Sequence, residues 1–173
     1  MRRLMLLSLA VLAATPWAAW SQTPAVRAVE QVDLARYAGR WYEIAHLPMF
    51  FQRNCVGDTT AEYTRNADGT VGVTNRCRDK NGDIDSASGT ATVVEGSGNA
   101  KLEVSFFKPF KGDYWVIGLD PDYRWAVVGE PDRKHLWILA RTPTLPPETL
   151  QQALAIAKSQ GYDLSELKYT EQR

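Results

Sequence analysis

Between Thr59 and Arg141 the chain never runs far without a turn. Turn clusters recur at Asn66-Ala67-Asp68-Gly69, Asp79-Lys80-Asn81-Gly82, Gly96-Ser97-Gly98-Asn99, Lys108-Pro109-Phe110-Lys111-Gly112, Asp120-Pro121-Asp122 and Glu130-Pro131-Asp132. The intervals are of strand length and suit extended backbone. None has room for the crossover helix that a parallel pair needs. The spacing predicts strands at Thr59–Thr64, Val71–Arg78, Ser88–Val94, Lys101–Phe107, Asp113–Leu119, Tyr123–Val128 and His135–Arg141, with Arg40–Ala45 ahead of them. Closing such a meander on itself removes its exposed edges. Pro146-Pro147 then opens a helix that Gly161 stops, and Leu164–Thr170 reads as a short last strand. The helix has a narrow apolar stripe of Leu150, Ala153, Leu154 and Ala157, which suits packing on an outer wall. The fold class is all-β: an eight-stranded antiparallel up-and-down β-barrel with one C-terminal α-helix packed outside.

Arg2-Arg3 followed by the apolar run Leu4–Ala14 reads as an export leader, cleaved near Ser21. The expected organisation is a signal peptide over 1–21 and one domain over 22–173. The first cysteine is Cys55, so no lipid-attachment cysteine follows the leader, and the expectation is a soluble periplasmic or secreted protein. Lys+Arg and Asp+Glu both number 20, which gives no electrostatic case for nucleic acid. His46 and His135 are isolated and no C-x-x-C occurs, so neither a metal nor another cofactor is expected. The two cysteines, Cys55 and Cys77, are expected to form a disulfide in an oxidising compartment; two buried free thiols are the alternative. Counting in register from the Asn66–Gly69 turn leaves them offset by three positions, and a bulge near Val56-Gly57-Asp58 would close the gap.

Three motifs fall in order along this meander. Gly39-Arg40-Trp41-Tyr42-Glu43 opens it, after one helical turn at Val32–Tyr37 capped by Asp33. Asp120-Pro121-Asp122-Tyr123 makes its penultimate turn, and Arg141 closes the last barrel strand. On these motifs the chain resembles the lipocalins, and the stretches from Leu119 to Val128 and from Leu136 to Pro147 resemble the bacterial lipocalin and apolipoprotein D branch. The resemblance implies that Trp41 lies across the closed end with the Arg141 guanidinium on its indole face, a contact of about 0.5–2 kcal/mol. It makes Gly39, Trp41, Asp122, Tyr123 and Arg141 structural residues rather than ligand contacts.

An eight-stranded barrel is wide enough for one small ligand, and alternation along each strand selects the lining. Leu102, Val104 and Phe106 are expected inward because Lys101, Glu103 and Ser105 suit water; so are Ala61 and Tyr63, and Val71, Val73, Asn75 and Cys77. In the strand Asp113–Leu119, Tyr114 and Val116 are assigned inward, with Trp115 and Ile117 under the helix. If Arg141 turns under the barrel, Trp137 and Leu139 also point in. The candidate ligand contacts are therefore Tyr63, Asn75, Val104, Phe106, Tyr114, Trp137 and Leu139. An apolar, aromatic lining with a few polar spots suits a long-chain lipid with one polar end, such as a fatty acid or lysophospholipid. The expected function is to bind and carry or store it, without catalysis. A transient membrane-surface contact is a further candidate partner. The apolar loop Leu47-Pro48-Met49-Phe50-Phe51 would cover the mouth or pack on the core. Two other readings stay open: an enzyme on the same scaffold with Cys77 as its thiol, and a tetrapyrrole carrier with His46 or His135 as axial ligand.

Overall fold

The turn spacing is realised as one closed sheet. The computed structural model describes residues 24–173; the leader and its cleavage point lie outside the described residues. A single helical turn, α1 (Leu34–Tyr37), leads into β1 (Gly39–His46). There follow β2 (Cys55–Arg65), β3 (Val71–Asp79), β4 (Ile84–Val93), β5 (Lys101–Phe107), β6 (Phe110–Leu119), β7 (Trp125–Gly129) and β8 (Leu136–Ala140). Each pairs antiparallel with the next, and β1 pairs with both β2 and β8, so the sheet closes. Helix α2 (Pro147–Ser159) packs outside, against β6 and β7. The two-residue strand β9 (Lys168–Tyr169) then adds to β1.

Several strands differ in extent from the sequence expectation, for local reasons. Tyr123 has φ of 61°, so the turn runs through it and β7 begins at Trp125. Strand β4 begins at Ile84 because Ile84–Ala91 stays in register with β3 throughout. Strand β2 begins at Cys55 and is bulged twice, between Cys55 and Gly57 and between Gly57 and Thr60. Those bulges bring Cys55 opposite Asp79 and let it reach Cys77, with Cα atoms 5.5 Å apart in the disulfide. Phe50–Gln52 is a single 3-10 turn in the β1–β2 loop.

Alternation sorts the apolar side chains into two cores. Trp41, Tyr63, Val71, Val73, Leu102, Val116 and Leu139 fill the barrel interior. Ile117, Leu136, Ile138, Ala153, Leu154 and Ala157 form the second core, between the barrel wall and α2. Tyr114 and Val116 thus face in, while Trp115 and Ile117 face the helix. The Tyr162 hydroxyl, just past the helix, accepts from Glu130 N at 2.7 Å and donates to Glu130 O at 2.8 Å. Gly129 lies directly beneath that ring, with no space for a side chain.

Candidate functional site

The two ends of the barrel are built from different residue types. At one end α1 crosses beneath the strands. Asp33 caps it, its carboxylate accepting from Ala35 N at 2.8 Å. Gly39 follows at φ of 92°, a left-handed turn that favours glycine. Trp41 is fully buried and donates its indole N–H to Tyr37 O at 2.8 Å. The Arg141 guanidinium lies 3.9 Å from the centre of the Trp41 ring. It also donates to the carbonyls of Arg36 (2.6 Å), Tyr37 (3.2 Å), Arg40 (2.8 Å) and Tyr123 (3.3 Å). The Tyr123 hydroxyl accepts from Asp33 N at 2.8 Å.

The structure corrects the second motif. Asp122, expected to carry structure, has a side chain 74% exposed that stands 3.8 Å from Arg124. The organising carboxylate is Asp120. It is buried, accepts from Asp122 N and Arg124 N, and takes a two-point contact from the Arg124 guanidinium at 2.8 Å each. The Arg124 hydrogen bond holds its carboxyl below the usual aspartate range. A carboxylate at the first position of a turn reaches the N–H groups two and four residues on, which the third position cannot do.

Above this floor three tyrosines meet. The Tyr114 hydroxyl is 2.8 Å from the Tyr37 hydroxyl and 2.8 Å from the Tyr63 hydroxyl. The rings of Tyr37 and Tyr63 are 5.5 Å apart, and those of Tyr63 and Tyr114 5.9 Å. Burial pushes the Tyr63 phenol up to about 12 and raises Tyr37 and Tyr114 well above the ordinary value. All three are therefore neutral at physiological pH. Beside them is a small cavity of about 20 Å³, otherwise lined by apolar side chains that include Val32, Leu34, Leu102 and Val104. That is room for about one water-sized group.

Of the residues expected to line a ligand site, Tyr63, Val104 and Tyr114 border this cavity. Leu139 is buried against the closed-end core, its partner Glu43 two residues beyond Trp41. Asn75 and Trp137 are half-buried nearer the mouth. Phe106 stands at the open end, 45% exposed, with its ring against Gly89, the cross-strand partner of Val73. Tyr37 escaped the sequence reading because it precedes the first strand. Its signal was the apolar pair Leu34 and Tyr37, three apart on a helical turn.

The other end is open. Ala87, cross-strand partner of Asn75, is exposed, as are Phe50, Phe51, Phe106, Phe107 and Phe110. These are all five phenylalanines of the chain. Midway along β1 lies a buried acid that the sequence reading also missed. Glu43 accepts from Gln52 Nε2 at 2.7 Å and Thr170 Oγ1 at 2.5 Å, and lies 2.8 Å from His46 Nδ1. Gln172 Nε2 donates to Glu43 O and Thr59 O, so the C-terminal segment seals the seam where β1 and β2 diverge. His135 Nδ1 is 2.7 Å from Glu130, and its ring lies between Phe51 and Trp137. Cys77 is in the disulfide, which removes the thiol that the enzyme reading requires. Among the described residues no group of three or more His, Cys, Asp or Glu is placed to hold a metal ion.

Comparison with known proteins agrees with this architecture. The model of the lipocalin-like domain matches residues 32–172. The chain is 42% identical over 153 residues to temperature-induced lipocalin-1 of Arabidopsis thaliana, covering 83% of this chain and 81% of that protein. It is 41% identical over 175 residues to the outer membrane lipoprotein Blc of Escherichia coli, covering 99% and 98%. Among solved structures, insecticyanin of the tobacco hornworm Manduca sexta superposes with a TM-score of 0.70 at 25% identity, covering 88% of this chain and 87% of the other.

Proposed function

The chain belongs to the lipocalin family, whose members bind small hydrophobic ligands, and from that premise we propose that it binds and carries or stores a long-chain lipid with one polar end, a fatty acid or lysophospholipid. The observation that carries this reading is the interior itself: an apolar barrel with three neutral hydroxyls at its closed end and an open mouth at the other. Such a site binds by desolvating an alkyl chain, at about 0.8 kcal/mol per buried methylene. Tyr63, Asn75, Val104, Phe106, Tyr114, Trp137 and Leu139 remain the proposed contacts, with Phe106 at the rim and Leu139 supporting the floor. No step of this function needs chemistry on the ligand.

The site of action in this reading is outside the cytoplasm, with residues 1–21 removed and a soluble mature chain in the periplasm or secreted. The disulfide supports an oxidising compartment. No helix among the described residues is long and apolar enough to cross a membrane. The exposed phenylalanines, with Arg53, Lys108 and Lys111 beside them, support a transient contact with a membrane surface at the open end.

Native mass spectrometry of protein from its own host, followed by solvent extraction, tests the proposal. The expected result is a mature chain that begins near Gln22 and releases a single-chain lipid. A chain that carries nothing and binds neither stearate nor lysophosphatidylcholine would overturn it.

A further inference from the structure

We propose a second binding site, outside the barrel interior, that takes a small aromatic anion: one or two rings bearing a carboxylate or sulfonate. It lies in a seam of the barrel wall. Strands β1 and β2 pair only as far as Tyr42 and Thr60. Beyond that point β1 takes β9 as its partner, through Ala45 and His46. The parting leaves a cavity of about 450 Å³, bordered by the start of β2, by β9 and by the β1–β2 loop. That volume falls within the ordinary range of small-molecule sites, about 300–1,000 Å³. None of its lining residues belongs to the core that fills the barrel, so the space is separate from the interior. The inference therefore does not depend on what the interior carries.

The walls are tied in place from three sides. Cys55 is bridged to Cys77, Lys168 and Tyr169 pair with β1, and Gln52 and Thr170 both donate to Glu43. A ligand entering here has little chain to order. The lining then selects its chemistry in two ways. The first is charge. Arg53 and Lys168 border the cavity, no carboxylate lines it, and neither cation forms a salt bridge among the described residues. The acids of the surrounding segments are engaged elsewhere. Glu43 lies behind His46 and is held by His46, Gln52 and Thr170. Asp58 meets Arg78 at 2.7 Å, and Glu171 meets Arg173 at 2.9 Å. The second is apolar surface. Phe50 from the loop, Val56 from β2 and Tyr169 from β9 border the same cavity, 78%, 41% and 62% exposed. Apolar side chains scattered singly on a surface are ordinary, but these three converge on one concavity. A flat ring covers them while its anionic group meets Arg53 or Lys168. A cation is repelled by the same pair, and a neutral sugar leaves the apolar side chains in water.

Titration with 2-naphthoate, followed by NMR, tests the site, with 2-naphthalenemethanol as the uncharged counterpart. Naphthoate is expected to shift the methyl signals of Met49 and Val56 and the amides of Gly57 and Tyr169. If those signals stay in place the proposal falls, even where Val71 and Leu102 in the interior respond. Arg53 and Lys168 are both exposed, so Arg53→Gln with Lys168→Gln keeps the fold. The double variant should bind naphthoate about tenfold more weakly and the alcohol as the wild type does. An unchanged affinity for naphthoate, or an equal loss for both compounds, would overturn the assignment of the site to anions.

Discussion

The closed floor and the open rim share the same strands but are stabilised in opposite ways. At the floor Trp41, Tyr37 and Tyr63 are buried and the cation is tied into backbone: Trp41 is 0% exposed, and Arg141 reaches four carbonyls. At the rim the phenylalanines lie out in water, Phe50 at 78% and Phe107 at 75%. Order there comes from cross-links instead: the Cys55–Cys77 bridge, the Arg78–Asp58 pair at 2.7 Å, and the C-terminal residues stitched between β1 and β2. The floor thus owes its rigidity to burial, and the rim to a few discrete ties. A barrel that admits a ligand from one end needs that asymmetry, since local opening should occur where apolar burial is least.

The comparison breaks most readily at Arg141. Arg141→Ala removes the stacking on Trp41 and leaves loop carbonyls without donors. We expect a loss of about 4 kcal/mol, since several charged hydrogen bonds go together. Urea denaturation measures it. Stearate affinity, extrapolated to fully folded protein, should shift far less than the stability does. A large loss of affinity at unchanged stability would move Arg141 from the floor's frame into the ligand site.

Reduction of the disulfide comes next. It closes a separation of 22 positions, and the chain-entropy model gives about 3 kcal/mol for a loop of that order. The effect should be local first. Hydrogen exchange in β2 near Val56–Asp58 and in the C-terminal residues 168–173 should accelerate before any change at Trp41. Simultaneous loosening of floor and rim would show that the two ends are one cooperative unit.

The barrel was legible from turn spacing because its turns carry Gly, Pro, Asn and Asp at positions whose chemistry is local. The disulfide was legible too, since register from a single hairpin located the bulge it needed. What escaped were groups whose role depends on distant chain. Glu43 sits in the opening motif, yet its partners Gln52 and Thr170 come from a loop and from the residue just after the last strand. Tyr37 meets Tyr114 across 77 positions. Asp122 and Asp120 are equivalent in composition, and only the turn's geometry chooses between them.

A smaller effect depends on pH. Arg124 holds Asp120, at the floor, below its unfolded value of about 3.9. Its contribution is fully present above that value and is lost as the pH falls through the lower folded value. Burial raises Glu130, at the rim, so its contribution has the opposite sign and is lost as the pH rises through its folded value. Acid titration of stability below about pH 4 should therefore report Asp120 together with Asp58, whose carboxyl the Arg78 hydrogen bond also holds low at the rim. Asp120→Asn should flatten that limb and cost about 1–2 kcal/mol at neutral pH. An unchanged acid limb in the variant would remove Asp120 from that role.

The smallest effect on stability is expected where exposure is greatest. Phe107 and Phe110 stack at 6.4 Å on the tip of the β5–β6 hairpin, 75% and 70% exposed. They bury little in the folded chain, so Phe107→Ser with Phe110→Ser should change unfolding free energy by no more than about 0.5 kcal/mol. Their exposed area instead remains available to a lipid surface. Fully burying one such ring yields about 1.5–3 kcal/mol, so losing two partly inserted rings should weaken association at least tenfold, or about 1.4 kcal/mol. Co-sedimentation with vesicles of phosphatidylcholine and phosphatidylglycerol measures that association. Lys108 and Lys111 flank the pair and would meet the anionic head groups, so added salt should weaken the wild type as well. Tyr37→Phe, at the floor, serves as the contrast and should bind vesicles as the wild type does. If the phenylalanine variant sediments with vesicles unchanged but melts several degrees lower, the rim is part of the fold, and the distinction between a buried end and a docking end is lost.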